Sequence, residues 1–288
     1  MTNKNKSLRF GSIVSIIIAI LIYFVGQMIT SIIMPLINSS SGIINIFIFC
    51  VITIILTLIV AFKVYGFKPS DIGLNSYKFG HYLIFGVILA FLCQLIMLII
   101  SIILGTTEIV SVEFNIIPFI LAVMLALGAG VSEEILDRGF LASVLKPTKN
   151  KWLIILVPTI FFTVVHIINV LISQINITTG IIALITTFLA GLFLILIVIK
   201  TGSLTMAIAW HAGWDFFMSF FGINVSSIEN GTVFLALKTT GSALLTGGTY
   251  GMEASIIAPI VLVILIVLFY KFYPQVKATK ENKLWSMD

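Results

Sequence analysis

Charge is what this chain has least of. Only 9% of its 288 residues are Asp, Glu, Lys or Arg, against 60% hydrophobic, and the mean hydropathy is +1.21. That balance excludes a soluble protein. Cysteine is almost as scarce. Cys50 and Cys93 both fall in apolar runs without metal-like spacing. A disulfide scaffold is therefore excluded, and both thiols are expected to pack as small apolar groups. No internal repeat is evident, and the polar stretch at 38–42 is the only low-complexity segment. Without inverted repeats or paired broken helices, a proton-coupled transporter is disfavoured. The first apolar run exceeds the roughly 7–15-residue core of a signal peptide and lacks a small-x-small cleavage site. It reads as a retained anchor.

What is there instead is apolar sequence in long runs. Eight stretches approach or exceed the roughly 18 residues a span requires: 12–37, 43–62, 82–104, 116–145, 152–172, 178–199, 204–221 and 255–272. They predict an all-α, polytopic helix bundle of about eight transmembrane helices, forming a single membrane domain over 1–288. Lys4, Lys6 and Arg9 precede the first run; Lys63, Lys68 and Lys78 follow the second; Lys146, Lys149 and Lys151 the fourth. Lys200 follows the sixth, and Lys271, Lys277, Lys280 and Lys283 the last. With an even span count these all share one side, which the positive-inside rule makes cytoplasmic, so both termini are expected there. Lys238, Glu108, Glu113, Glu229 and Glu253 fall on the other side. The net charge of +5 is thus a topology signal and no nucleic-acid footprint. Heavy use of Ile, Lys and Asn suggests an AT-rich bacterial genome and a multi-pass protein of the bacterial cell membrane.

Against that background Glu133 and Glu134 stand out, adjacent carboxylates in the fourth run. Each costs about 2.5 to 3.5 kcal/mol at a helix centre, so the pair needs partners or a purpose. Glu134 and Arg138 are four apart and can form an ion pair on one helix face. Glu133, offset by roughly 100°, points elsewhere and is left for a site. The bland alternative is a charge cluster that locks helices together. His166 lies four residues after Phe162, whose ring can pack beside the imidazole; alone, it could equally be an interhelical hydrogen-bonding residue. His211 and Asp215 are again four apart and can converge on one metal or one water, or simply neutralise each other. Trp210 and Trp214 flank that pair and could wall a pocket. Because three runs carry these groups and the others almost none, a joint site is the better reading.

The chain resembles the CPBP family of intramembrane proteases, the CAAX-protease and bacteriocin-processing (Abi) family. The matching elements are Glu133-Glu134-Ile-Leu-Asp-Arg138, Phe162-Thr-Val-Val-His166 and His211-Ala-Gly-Trp-Asp215, in family order. Gly202-Ser203-Leu204 and the segment from Leu245 to Ser255 also look similar, so the likeness covers about 63–255. It implies a peptide hydrolase with its site near the cytoplasmic side. Glu133 would activate the attacking water as general base, assisted by His166. His211 and Asp215 would line the oxyanion position, with Glu134, Arg138 and Phe162 in support. It also implies a possible zinc or other divalent metal, held by His166, His211 and Asp215.

Two departures matter. Asp137 replaces the aromatic residue that usually precedes the arginine; it either competes for Arg138 or faces cytoplasmic water. Asp215 stands where many relatives have Asn. An ionised Asp cannot donate to an oxyanion, so it must be protonated, orient His211 or coordinate a cation. The expected substrate is a membrane-associated peptide or protein, in bacteriocin or pheromone processing or self-immunity. A prenylated tail is not the expected target in a bacterium. The alternative is a non-catalytic membrane scaffold or immunity protein that binds a partner.

Overall fold

The computed structural model describes residues 11–37 and 41–276. Lys4, Lys6, Arg9, Lys277, Lys280, Lys283 and most of the 38–42 turn lie outside the described residues.

Each apolar run forms a helix. They are α1 (Ser12–Ile37), α2 (Gly42–Ile59), α3 (Phe79–Ile103), α4 (Ile116–Glu134), α5 (Lys151–Ile172), α6 (Ile177–Thr201), α7 (Thr205–Phe220) and α8 (Ile257–Phe272). Polar side chains start several of them. Asn150 Oδ1 accepts from the Trp152 and Leu153 amides at 3.0 and 3.3 Å, and Asn176 Oδ1 from the Thr179 amide at 2.9 Å. Six helices are long and apolar enough to cross a membrane, counting the continuations of α2 to Val64 and of α4 to Thr148. The remaining two, α7 and α8, have 16 residues each, about 24 Å at about 1.5 Å per residue. The protein is a polytopic helical membrane protein, and Ile, Leu, Val and Phe side chains cover the outer faces of α1, α3, α5 and α8.

The connectors sort to two ends. At one, the Asp71 carbonyl accepts from Ser143 Oγ (2.9 Å) and Lys146 Nζ (3.1 Å). There too the Leu204 amide donates to the Gly73 carbonyl, and Lys200 Nζ donates to the carbonyls of Tyr270 and Tyr273. The basic loops after α2, α4, α6 and α8 therefore meet. At the opposite end the α3–α4 and α7–α8 loops pair as an antiparallel ribbon, β1 (Thr107–Val112) with β2 (Leu235–Thr239). Glu108 sits opposite Lys238. This ribbon corrects the all-α expectation: the fold is mostly helical, not purely so. Its strands are rich in Val, Ile, Thr and Leu, and pairing satisfies backbone groups that the helices no longer serve.

α7 is the central helix. A methyl group on Gly130 of α4 would lie 2.7 Å from the Ala212 nitrogen, and one on Gly86 of α3 would lie 2.7 Å from the Met206 carbonyl oxygen. Small residues thus let three backbones close up, as membrane helices do where apolar burial gives little drive. The contact at Gly130 matters most, because Ala212 follows His211 and Gly130 lies one turn before Glu133 and Glu134.

Candidate active site

α4 changes winding where its charges lie. It ends as an α-helix at Glu134 and continues as a π-helical turn over Ile135–Leu141, every residue of which is buried. π-turns inside helices are frequent at functional sites. Here the turn carries Asp137 and Arg138 into the bundle.

The two glutamates part company as their angular offset predicts. Glu134 is fully buried, and its Oε1 accepts both from Arg138 Nη1 and from His211 Nδ1, each at 2.9 Å. Arg138 is fully buried as well. Its Nη1 lies 3.5 Å from Asp137, its Nη2 donates to the Gly191 carbonyl at 3.3 Å, and its guanidinium lies over the Phe162 ring at 4.4 Å. Gly191 has no side chain to oppose this: a methyl there would sit 3.2 Å from Nη2. Asp137 therefore shares Arg138 and does not face water.

Glu133 turns instead into a cavity of about 490 Å³, whose lining includes His166, His211, Asp215, Trp210 and Trp214. Its Oε2 has no hydrogen-bond partner among the described residues and lies 3.9 Å from His211 Nε2. Asp215 Oδ2 lies 4.0 Å from the same nitrogen. His166 Nδ1 pairs with the Phe162 carbonyl at 2.7 Å. A carbonyl only accepts, so Nδ1 carries the proton and a neutral His166 keeps Nε2 as an acceptor. The Phe162 ring contacts His166 (centroids 4.6 Å apart) and meets His211 edge-on at 5.7 Å. The four residues expected at the chemistry thus share one cavity. The expected supports Glu134 and Arg138 lie behind it, and Phe162 forms part of its wall.

Sequence reasoning assigned Glu134 only to Arg138, and it placed Glu253 in a glycine-rich outer loop, expected to turn tightly or fold back against the bundle, without giving it a role in the site. In the structure Glu253 lines the cavity, accepting from Trp214 Nε1 at Oε1 and from the Ser226 amide and hydroxyl at Oε2, all at 3.0 Å. Two glycines allow this. At φ 77° and 106°, Gly247 and Gly251 fold so tightly that a methyl would strike the Gly251 and Asn224 carbonyls, respectively. Asn169, three residues after His166, also lines the cavity. The readable signal for Glu253 was an acid in a glycine-rich loop next to the family-like segment. The cavity consequently reaches toward the ribbon end of the bundle, not toward the basic end that the resemblance implied.

Residues 115–217 match the family model described as type II CAAX prenyl endopeptidase Rce1-like. This segment is an Rce1-like domain. Glu133, Glu134, Arg138, Phe162, His166, His211 and Asp215 all lie inside it, while Glu253 lies beyond it. No curated protein and no solved structure matches the chain. The match of this segment to the Rce1-like family suggests intramembrane protease activity in a multi-pass membrane protein.

Metal chemistry is a separate question. Among the described residues, no three His, Cys, Asp or Glu side chains converge as a metal-holding group. The Nδ1 contacts of His211 with Glu134 and of His166 with a carbonyl leave each Nε2 available and do not bear on the question. As arranged, His166, His211 and Asp215 do not form the ligand set that the resemblance implied, and no step below depends on one.

Proposed function

We propose that this protein is an intramembrane endopeptidase that hydrolyses a peptide bond in a membrane-associated peptide or protein. One observation carries the reading: of two adjacent glutamates, Glu134 is fully buried and holds Arg138 and His211 through Oε1, while the half-buried Glu133 lines the cavity beside His211 and binds neither Arg138 nor, among the described residues, any other base directly. A purely structural charge cluster has no use for the second.

In this reading, water in the cavity beside Glu133 Oε2 loses its proton to that carboxylate as it attacks the scissile carbonyl. His211 is poised much as the imidazole of a hydrolytic triad is. Its Nδ1–H is held by a buried carboxylate, leaving Nε2 toward the cavity to accept and return a proton at the leaving nitrogen. His166, with Nε2 unprotonated, assists in orienting the water. Asp215, 4.0 Å from His211 Nε2, stabilises that imidazole when it takes up the proton. Such general acid–base assistance contributes roughly 10²- to 10⁴-fold each.

The accompanying topology has eight crossings within one domain, with the basic end cytoplasmic and the ribbon outside. The meeting of all the described basic loops at one end supports it. The biological setting we favour is processing of a bacterial peptide signal or bacteriocin, or self-immunity to one.

The test is complementation of a deletion strain with wild type, Glu133→Gln and His166→Ala, reading membrane abundance by blot and small peptides by mass spectrometry. A product lost in both variants at unchanged abundance is the expected result. Wild-type behaviour of both would replace the protease with a non-catalytic scaffold or immunity protein.

A further inference from the structure

The cavity is unbalanced in charge. Its walls carry three carboxylates, Glu133, Asp215 and Glu253, and no lysine or arginine. Arg138 cannot correct this, being fully buried behind Glu134 and engaged by Glu134, Asp137, the Gly191 carbonyl and the Phe162 ring. His211, 3.9 Å from Glu133 and 4.0 Å from Asp215, is one base set against three acids, and in a medium of low dielectric such an excess attracts a further cation or a proton.

Two of the three carboxylates form a group away from the Glu134–Arg138 pair. Glu253 and Asp215 line the same cavity. Trp214 joins them: it precedes Asp215 in the chain and donates its indole N–H to Glu253. The Ser226 amide and hydroxyl pin the other oxygen of Glu253 from a turn in which Ser226 and Ser227 adopt φ 48° and 70°. Three donors leave a carboxylate capacity for at least one more. Asp215 is different. Its side chain is nine-tenths buried and lines the cavity, yet it has no hydrogen-bond partner among the described residues. The Trp214 indole lines the same cavity, an aromatic surface of the kind that attracts cations.

We infer that Asp215, Glu253 and Trp214 form a subsite for a positively charged nitrogen of the bound peptide, either a Lys or Arg side chain or a free amino terminus. The inference rests on the protease reading for what happens to that peptide, but not for its binding.

The experiment uses the full-length Glu133→Gln protein in liposomes, so that binding is read without cleavage. Short, N-acetylated apolar peptides carrying one central Lys, Arg, norleucine or Glu are titrated while tryptophan fluorescence is followed. The Lys and Arg peptides are expected to bind about tenfold tighter than the norleucine peptide, and the Glu peptide weaker still. Tight binding confined to a non-acetylated series identifies the amino terminus as the ligand and equally supports the subsite. Adding Glu253→Gln should narrow the Lys-over-norleucine ratio to near one. Equal binding of Lys, norleucine and Glu peptides overturns the inference, as does a failure of every peptide to bind. Cleavage of the same series by the wild type separates the two ideas. Selective binding without any cleavage leaves the subsite and removes the protease; cleavage of all peptides at equal rates does the reverse.

Discussion

Glu134 of α4 and His211 of α7 share a 2.9 Å hydrogen bond between Oε1 and Nδ1, bridging 77 residues of chain. The same oxygen holds Arg138 at 2.9 Å. One buried carboxylate therefore both neutralises the arginine and fixes the tautomer of the imidazole that faces the cavity.

Breaking that hub is expected to cost stability. Glu134→Leu leaves buried Arg138 only the longer 3.5 Å contact with Asp137, a loss of up to about 3 to 5 kcal/mol. Membrane abundance and thermal stability in detergent should fall for it and for Arg138→Met. The double variant should recover part of the loss, because both buried charges are gone together. Additive losses would show that the two residues do not depend on each other.

Gly130 sets the distance between the two helices that carry the chemistry. Gly130→Ala places a methyl group 2.7 Å from the Ala212 nitrogen and must push α4 from α7. The expected cost is about 1 to 3 kcal/mol, with a fall in cleavage of about tenfold or more as Glu133 and His211 separate. Melting temperature and cleavage rate, measured on the same preparation, check it.

The two ends of the bundle can be assigned by labelling. A cysteine at Glu108, on the ribbon, should react with a membrane-impermeant maleimide added to intact cells. One at Ser70, in the basic connector, should react only after permeabilisation. Cys50 and Cys93 are buried and contribute little background. The reverse pattern would invert the topology.

Because His166, His211 and Asp215 do not converge, cleavage should survive removal of divalent metal by a chelator. Inactivation by the chelator with recovery on adding zinc would make those residues ligands, drawn together on binding.

Much of this was legible in order along the chain. The apolar runs could only be helices, since in a bilayer every backbone group must be satisfied within its own segment. The spacing of Glu134 and Arg138 announced their ion pair, that of Phe162 and His166 their ring contact, and the 100° offset the separate fate of Glu133. Local periodicity suffices for such relations because they lie within one helix. The ribbon was half legible: its strands are β-branched, yet nothing along the chain names the partner strand.

What the sequence by itself determined, then, is a helical membrane bundle with its few charges on three core helices and its basic loops on alternate connectors. The tertiary structure alone decided that Glu134 reaches His211, that the π-helical turn buries Asp137 beside Arg138, and that Glu253 folds back to the cavity through two glycine turns. These contacts join residues far apart in sequence. They depend on how closely helices approach at Gly130 and Gly86 and on where a loop returns, quantities set by packing in three dimensions and by no local periodicity.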